Sequence, residues 1–177
     1  MTNKKVAMII AFRDFKDEEY FVPKEILEKA GVEVKTVSNE IGQAIGVGGG
    51  DTHVDLLLEN LNPADVDAVV FVGGPGAIKD MDNENSYALT RATIAQGKVL
   101  AAICISPVIL AKAGVLKGKK ATVWSSALDI SPVKILKENG AVYEAKSVVK
   151  DGKIITANGP TAAEEFGQVI LGVLVKM

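Results

Sequence analysis

The chain's one cysteine, Cys104, closes the apolar run Val99-Leu100-Ala101-Ala102-Ile103 and is followed at once by Ile105-Ser106-Pro107-Val108-Ile109-Leu110. A strand that stops at a nucleophile and turns directly into a helix is a nucleophile elbow, which holds the side chain strained and accessible. The helix N-terminus behind it carries partial positive charge and favours a thiolate. A plain packing role fits the same residue, because free cysteine is among the most buried residue types. On the residues alone both remain open. Gly73-Gly74, at the end of the apolar run Asp67-Ala68-Val69-Val70-Phe71-Val72, suits a tight turn that bares backbone N–H groups. Together with the Ile105 N–H these glycines would build an oxyanion hole, and because Pro75 has no N–H the expected donor is Gly74.

The elements that must position these residues follow from an alternation of short apolar runs with helical patterns. Lys5 to Phe12 is apolar on both faces, as a central parallel strand should be. A helix follows from about Glu18 to Ala30, closed by Gly31, and then a strand over Val32 to Val37. Ile45 to Gly50 reads as a glycine-rich hairpin turn, since it lacks the Lys-Ser/Thr ending and the following helix of a phosphate loop. Beyond the strand at Asp67 to Val72 come a helix around Ser86 to Gln96, the strand to Cys104, a helix to Ala113, a strand over Lys120 to Val123 and a helix over Pro132 to Asn139. Asp151-Gly152 is expected as a type I′ hairpin turn, and the last helix, about Thr161 to Val175, opens with a capping box from Thr161 to Glu164. This rhythm predicts an α/β fold, with a mostly parallel central sheet and helices on both faces. It places the turns after Phe12, Val72 and Ile103, and the region of Trp124, on one rim of that sheet.

Composition narrows the class. A chain of 177 residues, 48% hydrophobic, supports one sizeable core and is expected to form a single domain over 1–177. Twenty basic against 22 acidic residues leave a formal charge of -2, so neither nucleic acid nor an anionic membrane is an expected partner. One cysteine makes no internal disulfide. With no signal-peptide pattern and no run long enough to span a bilayer, a cytoplasmic location is expected. No cluster of histidine, cysteine and carboxylate has metal-ligand spacing, and neither metal nor other cofactor is expected. The single histidine, His53, sits in Asp51-Thr52-His53-Val54-Asp55, far in sequence from the elbow, and reads as a surface or packing residue.

Ala101-Ala102-Ile103-Cys104-Ile105-Ser106-Pro107 resembles the elbow of the DJ-one/ThiJ/PfpI superfamily, which has the class I glutamine amidotransferase-like fold. Three further segments resemble it in the same order: Glu19-Tyr20-Phe21-Val22-Pro23, the Gly73-Gly74 turn, and Ala157-Asn158-Gly159-Pro160 followed by Glu165-Phe166. The resemblance implies a flavodoxin-like three-layer sandwich and a homodimer or larger oligomer. It makes Cys104 the nucleophile and Glu19 the carboxyl that contacts it, with Trp124, Asn158, Gly73 and Pro75 around the pocket. A carboxyl buried beside a thiolate stays protonated and can donate a hydrogen bond to the sulfur. A solvated acid in the first turn of a helix is the alternative for Glu19.

The departures from that pattern shape the expected chemistry. Family members that act as peptidases carry histidine directly after the cysteine, where this chain has Ile105, and the other family histidine falls at Trp124. The arginine of a small anion pocket is replaced by Asn158. An intracellular cysteine peptidase is therefore disfavoured, because no residue is placed as base and leaving-group acid. Addition of a thiolate to a small reactive aldehyde asks for less. The expected function is cysteine-dependent chemistry on small carbonyls or glycated protein, of glyoxalase III or deglycase type. The alternatives are a redox-responsive stress protein whose Cys104 oxidises to a sulfinate, and a relative that kept its cysteine while its catalytic machinery drifted. Trp124 and Ile105 would dry the pocket and raise the thiol, against the pull of the helix terminus.

Overall fold

The central strands are buried along nearly their whole length, and successive side chains join two cores on opposite faces of one sheet. The computed structural model describes residues 3–177. In chain order it contains β1 (Lys5–Ile9), β2 (Arg13–Phe15), α1 (Asp17–Lys29), β3 (Glu33–Ser38), β4 (Gln43–Gly46), β5 (Asp51–His53), β6 (Leu56–Leu57) and β7 (Ala68–Phe71). Next come α2 (Pro75–Met81), α3 (Glu84–Ala95), β8 (Val99–Ile103), α4 (Pro107–Lys112), β9 (Lys120–Ala121), α5 (Ser131–Glu138), β10 (Val142–Tyr143), β11 (Val148–Asp151), β12 (Ile154–Ala157) and α6 (Ala163–Leu174). The main sheet has seven strands in the order β11-β12-β8-β7-β1-β3-β6, parallel except for the β11–β12 hairpin. Val6, Met8, Val99, Ala101 and Ile103 face a core shared with Leu27 of α1 and Phe166 and Ile170 of α6. Ala7, Ile9, Leu100 and Ala102 face the other core, with Met81, Leu89, Leu110 and Leu136 of α2 to α5. The result is the expected three-layer, flavodoxin-like sandwich. No helix among the described residues is long and apolar enough to cross a membrane.

Several local expectations are corrected. The first strand ends at Ile9 rather than Phe12, and a separate three-stranded sheet, β2-β4-β5, takes over beyond it. The segment after Gly74 is not loop but helix α2, with Gly74 as N-cap and Pro75 in its first turn. Strand β9 is two residues long rather than four and pairs only with β10, in a small accessory sheet, and Trp124 beyond it reaches the expected rim of the main sheet, where its N–H meets the Cys104 carbonyl. The hairpin closes between Asp151 and Ile154. Its central residues are therefore Gly152 and Lys153, and only Gly152 has positive φ, +61°, which fits a type II′ turn rather than I′. The capping box does not form either. A 3-10 turn, Pro160–Ala162, precedes α6, whose N-cap is Ala162 with no side-chain cap.

One buried contact ties the two strand exits of the site together. Ser106, fully buried, donates its hydroxyl to the Val72 carbonyl at 2.7 Å. This joins the start of α4 to the residue that leads into Gly73. Ser106→Ala leaves that carbonyl short of a partner, and a loss of about 1–2 kcal/mol in urea unfolding is expected.

Candidate active site

Cys104 leaves β8 with φ of +64°, a left-handed conformation that a side chain tolerates only where its surroundings enforce it. Both of its backbone groups are clamped. Its N–H donates to the Ala157 carbonyl at 2.9 Å, and its carbonyl accepts from the Trp124 N–H at 2.8 Å. The elbow is thus held by β12 on one side and by the segment after β9 on the other, and α4 begins three residues on. The half-buried thiol faces the N–H groups of Ile105 and Gly74, the two donors expected from the sequence.

Glu19 comes from the first turn of α1 and is fully buried. Its Oε2 accepts the Gly73 N–H at 2.9 Å. Oε1 has no formed hydrogen bond, and the neighbouring side chain with which the carboxyl interacts is the Cys104 thiol. Pro23, inside the same helix, supplies no N–H to the Glu19 carbonyl four residues earlier. Gly73 is fixed at its other end too, since its carbonyl accepts the Lys16 N–H at 3.0 Å. Gly74, at φ +111°, brings its α-carbon against the backbone of residues 14–16, where a Cβ would lie 2.5 Å from the Asp14 carbonyl oxygen.

Burial dominates the electrostatics. Removal from water pushes the Glu19 carboxyl up to about 7 from its ordinary 4.5, against the downward pull of the Cys104 thiol and the Gly73 N–H. The Cys104 thiol is also pushed well above its ordinary value, first by burial and then by the Glu19 charge and hydrogen bond, and the Ile105 and Gly74 N–H groups only partly offset this. The expectation of a thiolate favoured by the helix terminus is therefore corrected. The drying effect wins: burial is the largest influence on the thiol, and the N-terminus of α4, a helix of six residues, does not outweigh it. The thiol therefore keeps its proton through neutral pH, and the carboxyl is the group of the pair that titrates near 7.

The pair opens on a cavity of about 380 Å³. Of the residues named from the sequence, Cys104, Glu19, Gly74, Ile105, Pro75 and Trp124 line it. Gly73 sits behind it, between the carboxyl and the elbow, and Asn158 is not among its lining residues; the Asn158 N–H is used by the Ser147 carbonyl. Lys16, Ile78 and Pro160 complete the lining and were not foreseen. The only sequence signal for Lys16 was its position just before the α1 acids, Pro160 stood in the segment Ala157-Asn158-Gly159-Pro160 without being named for the pocket, and nothing marked Ile78. His53 lies exposed on β5 and does not line the cavity. No group of three metal-ligating side chains is gathered among the described residues.

A protein-family model described as the DJ-1/PfpI family matches residues 4–172. An uncharacterized protein of Methanocaldococcus jannaschii is 41% identical over 177 residues, spanning 99% of this chain and 85% of that protein. Deglycase PfpI of Pyrococcus furiosus is 32% identical over 153 residues, spanning 86% of this chain and 89% of the enzyme. Among solved structures, a ThiJ/PfpI domain protein from Brachyspira murdochii superposes with a TM-score of 0.93 at 33% identity, covering 100% of this chain and 99% of that one.

Proposed function

The chain belongs to the DJ-1/PfpI family, and on that premise we propose that it is a cysteine-dependent enzyme of deglycase or glyoxalase III type. Its substrates are small reactive aldehydes or their protein adducts, with Cys104 as the nucleophile. The observation that carries this reading is the convergence of a buried carboxyl and two backbone N–H groups on the one thiol in the cavity. Deglycase names among the relatives support the same class. A peptidase finds no support, because no histidine lines the cavity and the leaving amine of a peptide would have no matched acid and base.

The chemistry requires one proton acceptor. The sulfur lone pair attacks the aldehyde carbon, the thiol proton passes to the Glu19 carboxylate, and the carbonyl π electrons become an alkoxide held by the Gly74 and Ile105 N–H groups. Return of the proton from Glu19 to that oxygen gives a neutral hemithioacetal. With an α-oxoaldehyde, Glu19 then moves the proton from the sulfur-bearing carbon to its neighbour through an enediol. The resulting 2-hydroxy thioester is cleaved by water to a 2-hydroxy acid and the free thiol. One carbon is oxidised as its neighbour is reduced, so the aldehyde and one water account for all atoms and electrons. A redox-sensing role draws less support, since oxidation of a cysteine follows its thiolate population and burial suppresses that.

Glu19 can accept the thiol proton only when it is itself unprotonated. Its value is raised, so kcat/KM is expected to climb about tenfold per pH unit below about 7 and to level off above it. Steady-state rates with methylglyoxal from pH 5 to 9, on the native chain and Cys104→Ala, test this. Turnover retained in Cys104→Ala, or a rate that falls with rising pH through 7, would overturn the assignment.

A further inference from the structure

We infer that, within the aldehyde chemistry proposed above, the preferred substrates are neutral α-oxoaldehydes that carry an aryl or branched alkyl group. The cavity of about 380 Å³ holds far more than a two- or three-carbon aldehyde. Its walls away from Cys104 and Glu19 are Pro75, Ile78, Ile105, Trp124 and Pro160, none of which offers a charge. Ile78 keeps 37% of its surface exposed, so an apolar substituent that covered it would be drawn out of water. Trp124 presents an indole against which a planar ring can stack. Lys16 is the one cation in the lining, and its Nζ is 3.7 Å from Glu18 Oε2, where an acid already offsets its charge. The wall therefore favours an apolar tail over a carboxylate or phosphate. A methyl group leaves most of this surface wet.

The test compares kcat/KM for phenylglyoxal, methylglyoxal and glyoxal, and measures protection of Cys104 from iodoacetamide by the unreactive ketones acetophenone and acetone. Phenylglyoxal is expected to exceed methylglyoxal by about tenfold or more, and Ile78→Asn to erase most of that ratio. Acetophenone is expected to protect the thiol at about tenfold lower concentration than acetone. Cys104-dependent turnover that favours methylglyoxal, or equal protection by the two ketones, would overturn the inference while leaving the enzyme assignment in place. No turnover of any aldehyde, with protection by acetophenone intact, would instead overturn the enzyme assignment and support the apolar subsite.

Discussion

Glu19→Gln is expected to be more stable than the native chain above pH 7 and far less active. The carboxyl is fully buried, with an ordinary value of 4.5 and a folded-state value of about 7. Between those values the folded chain binds a proton that the unfolded chain has released, so native stability falls as pH rises through that window and the loss is complete above it. The difference amounts to about 3 kcal/mol. Glutamine matches the protonated carboxyl in shape, can accept the Gly73 N–H through its amide oxygen, and never ionises. Its thermal midpoint should therefore match the native one near pH 4 and exceed it by roughly 6–12 °C at pH 9. In the proposed mechanism the same exchange removes the proton acceptor for Cys104, and a fall in kcat/KM of about 10²-fold or more is expected. Melting curves of the two proteins from pH 4 to 9 check the stability half. Parallel curves with no divergence above pH 5 would show that burial does not hold the carboxyl high.

The contrast between Cys104 and the rest of the cavity explains which parts of the site were legible. The elbow is local: an apolar strand, a nucleophile and a helix within a dozen residues, and Gly73-Gly74 likewise mark the end of a strand. The layered fold was legible for the same reason, because each strand and helix carries its own period. Lys16, Ile78 and Pro160 reach the cavity only through the packing of β2, α2 and the turn before α6, which no spacing encodes. Helix α2 was hidden by its own start, since Gly-Gly-Pro-Gly reads as loop. Gly76 is there because a Cβ would lie 2.0 Å from the Arg13 carbonyl oxygen, a tertiary contact and not a turn. The glycines of the β4–β5 hairpin have a similar cause: Asp17 at the head of α1 accepts the N–H groups of Gly48 and Gly50 at 2.7 Å, binding the hairpin to the helix that carries Glu19. The balance of burial against helix dipole at the thiol was likewise a question of tertiary water exclusion.

Gly73→Ala is expected to disrupt the contact between Glu19 and Cys104 directly. A Cβ there would lie 2.4 Å from Glu19 Oε2, 2.6 Å from Cys104 Cβ and 2.9 Å from the Ile103 carbonyl oxygen. Two of those three neighbours cannot swing aside. Ile103 is backbone in the central strand β8, and the Cys104 main chain is clamped at both its N–H and its carbonyl. The carboxyl is the group that must move, and moving it breaks the buried 2.9 Å bond from the Gly73 N–H. Overpacking plus a lost buried hydrogen bond to a charged group is expected to cost about 2–4 kcal/mol in urea unfolding. Gly152→Ala supplies the control, because that Cβ meets nothing within 4 Å and only the φ of +61° resists it. Its cost should stay at about 1–2 kcal/mol, that of holding a side chain at positive φ. Cys104 alkylation separates the two further: Gly152→Ala should react at the native rate with the native pH dependence. In Gly73→Ala the displaced carboxyl no longer acts on the thiol, so any inflection near pH 7 that Glu19 imposes on the alkylation profile should be lost. A Gly73→Ala protein of native stability and unchanged alkylation profile would mean that the strand exit yields easily, and that Glu19 and Cys104 are not held against each other by the backbone between them.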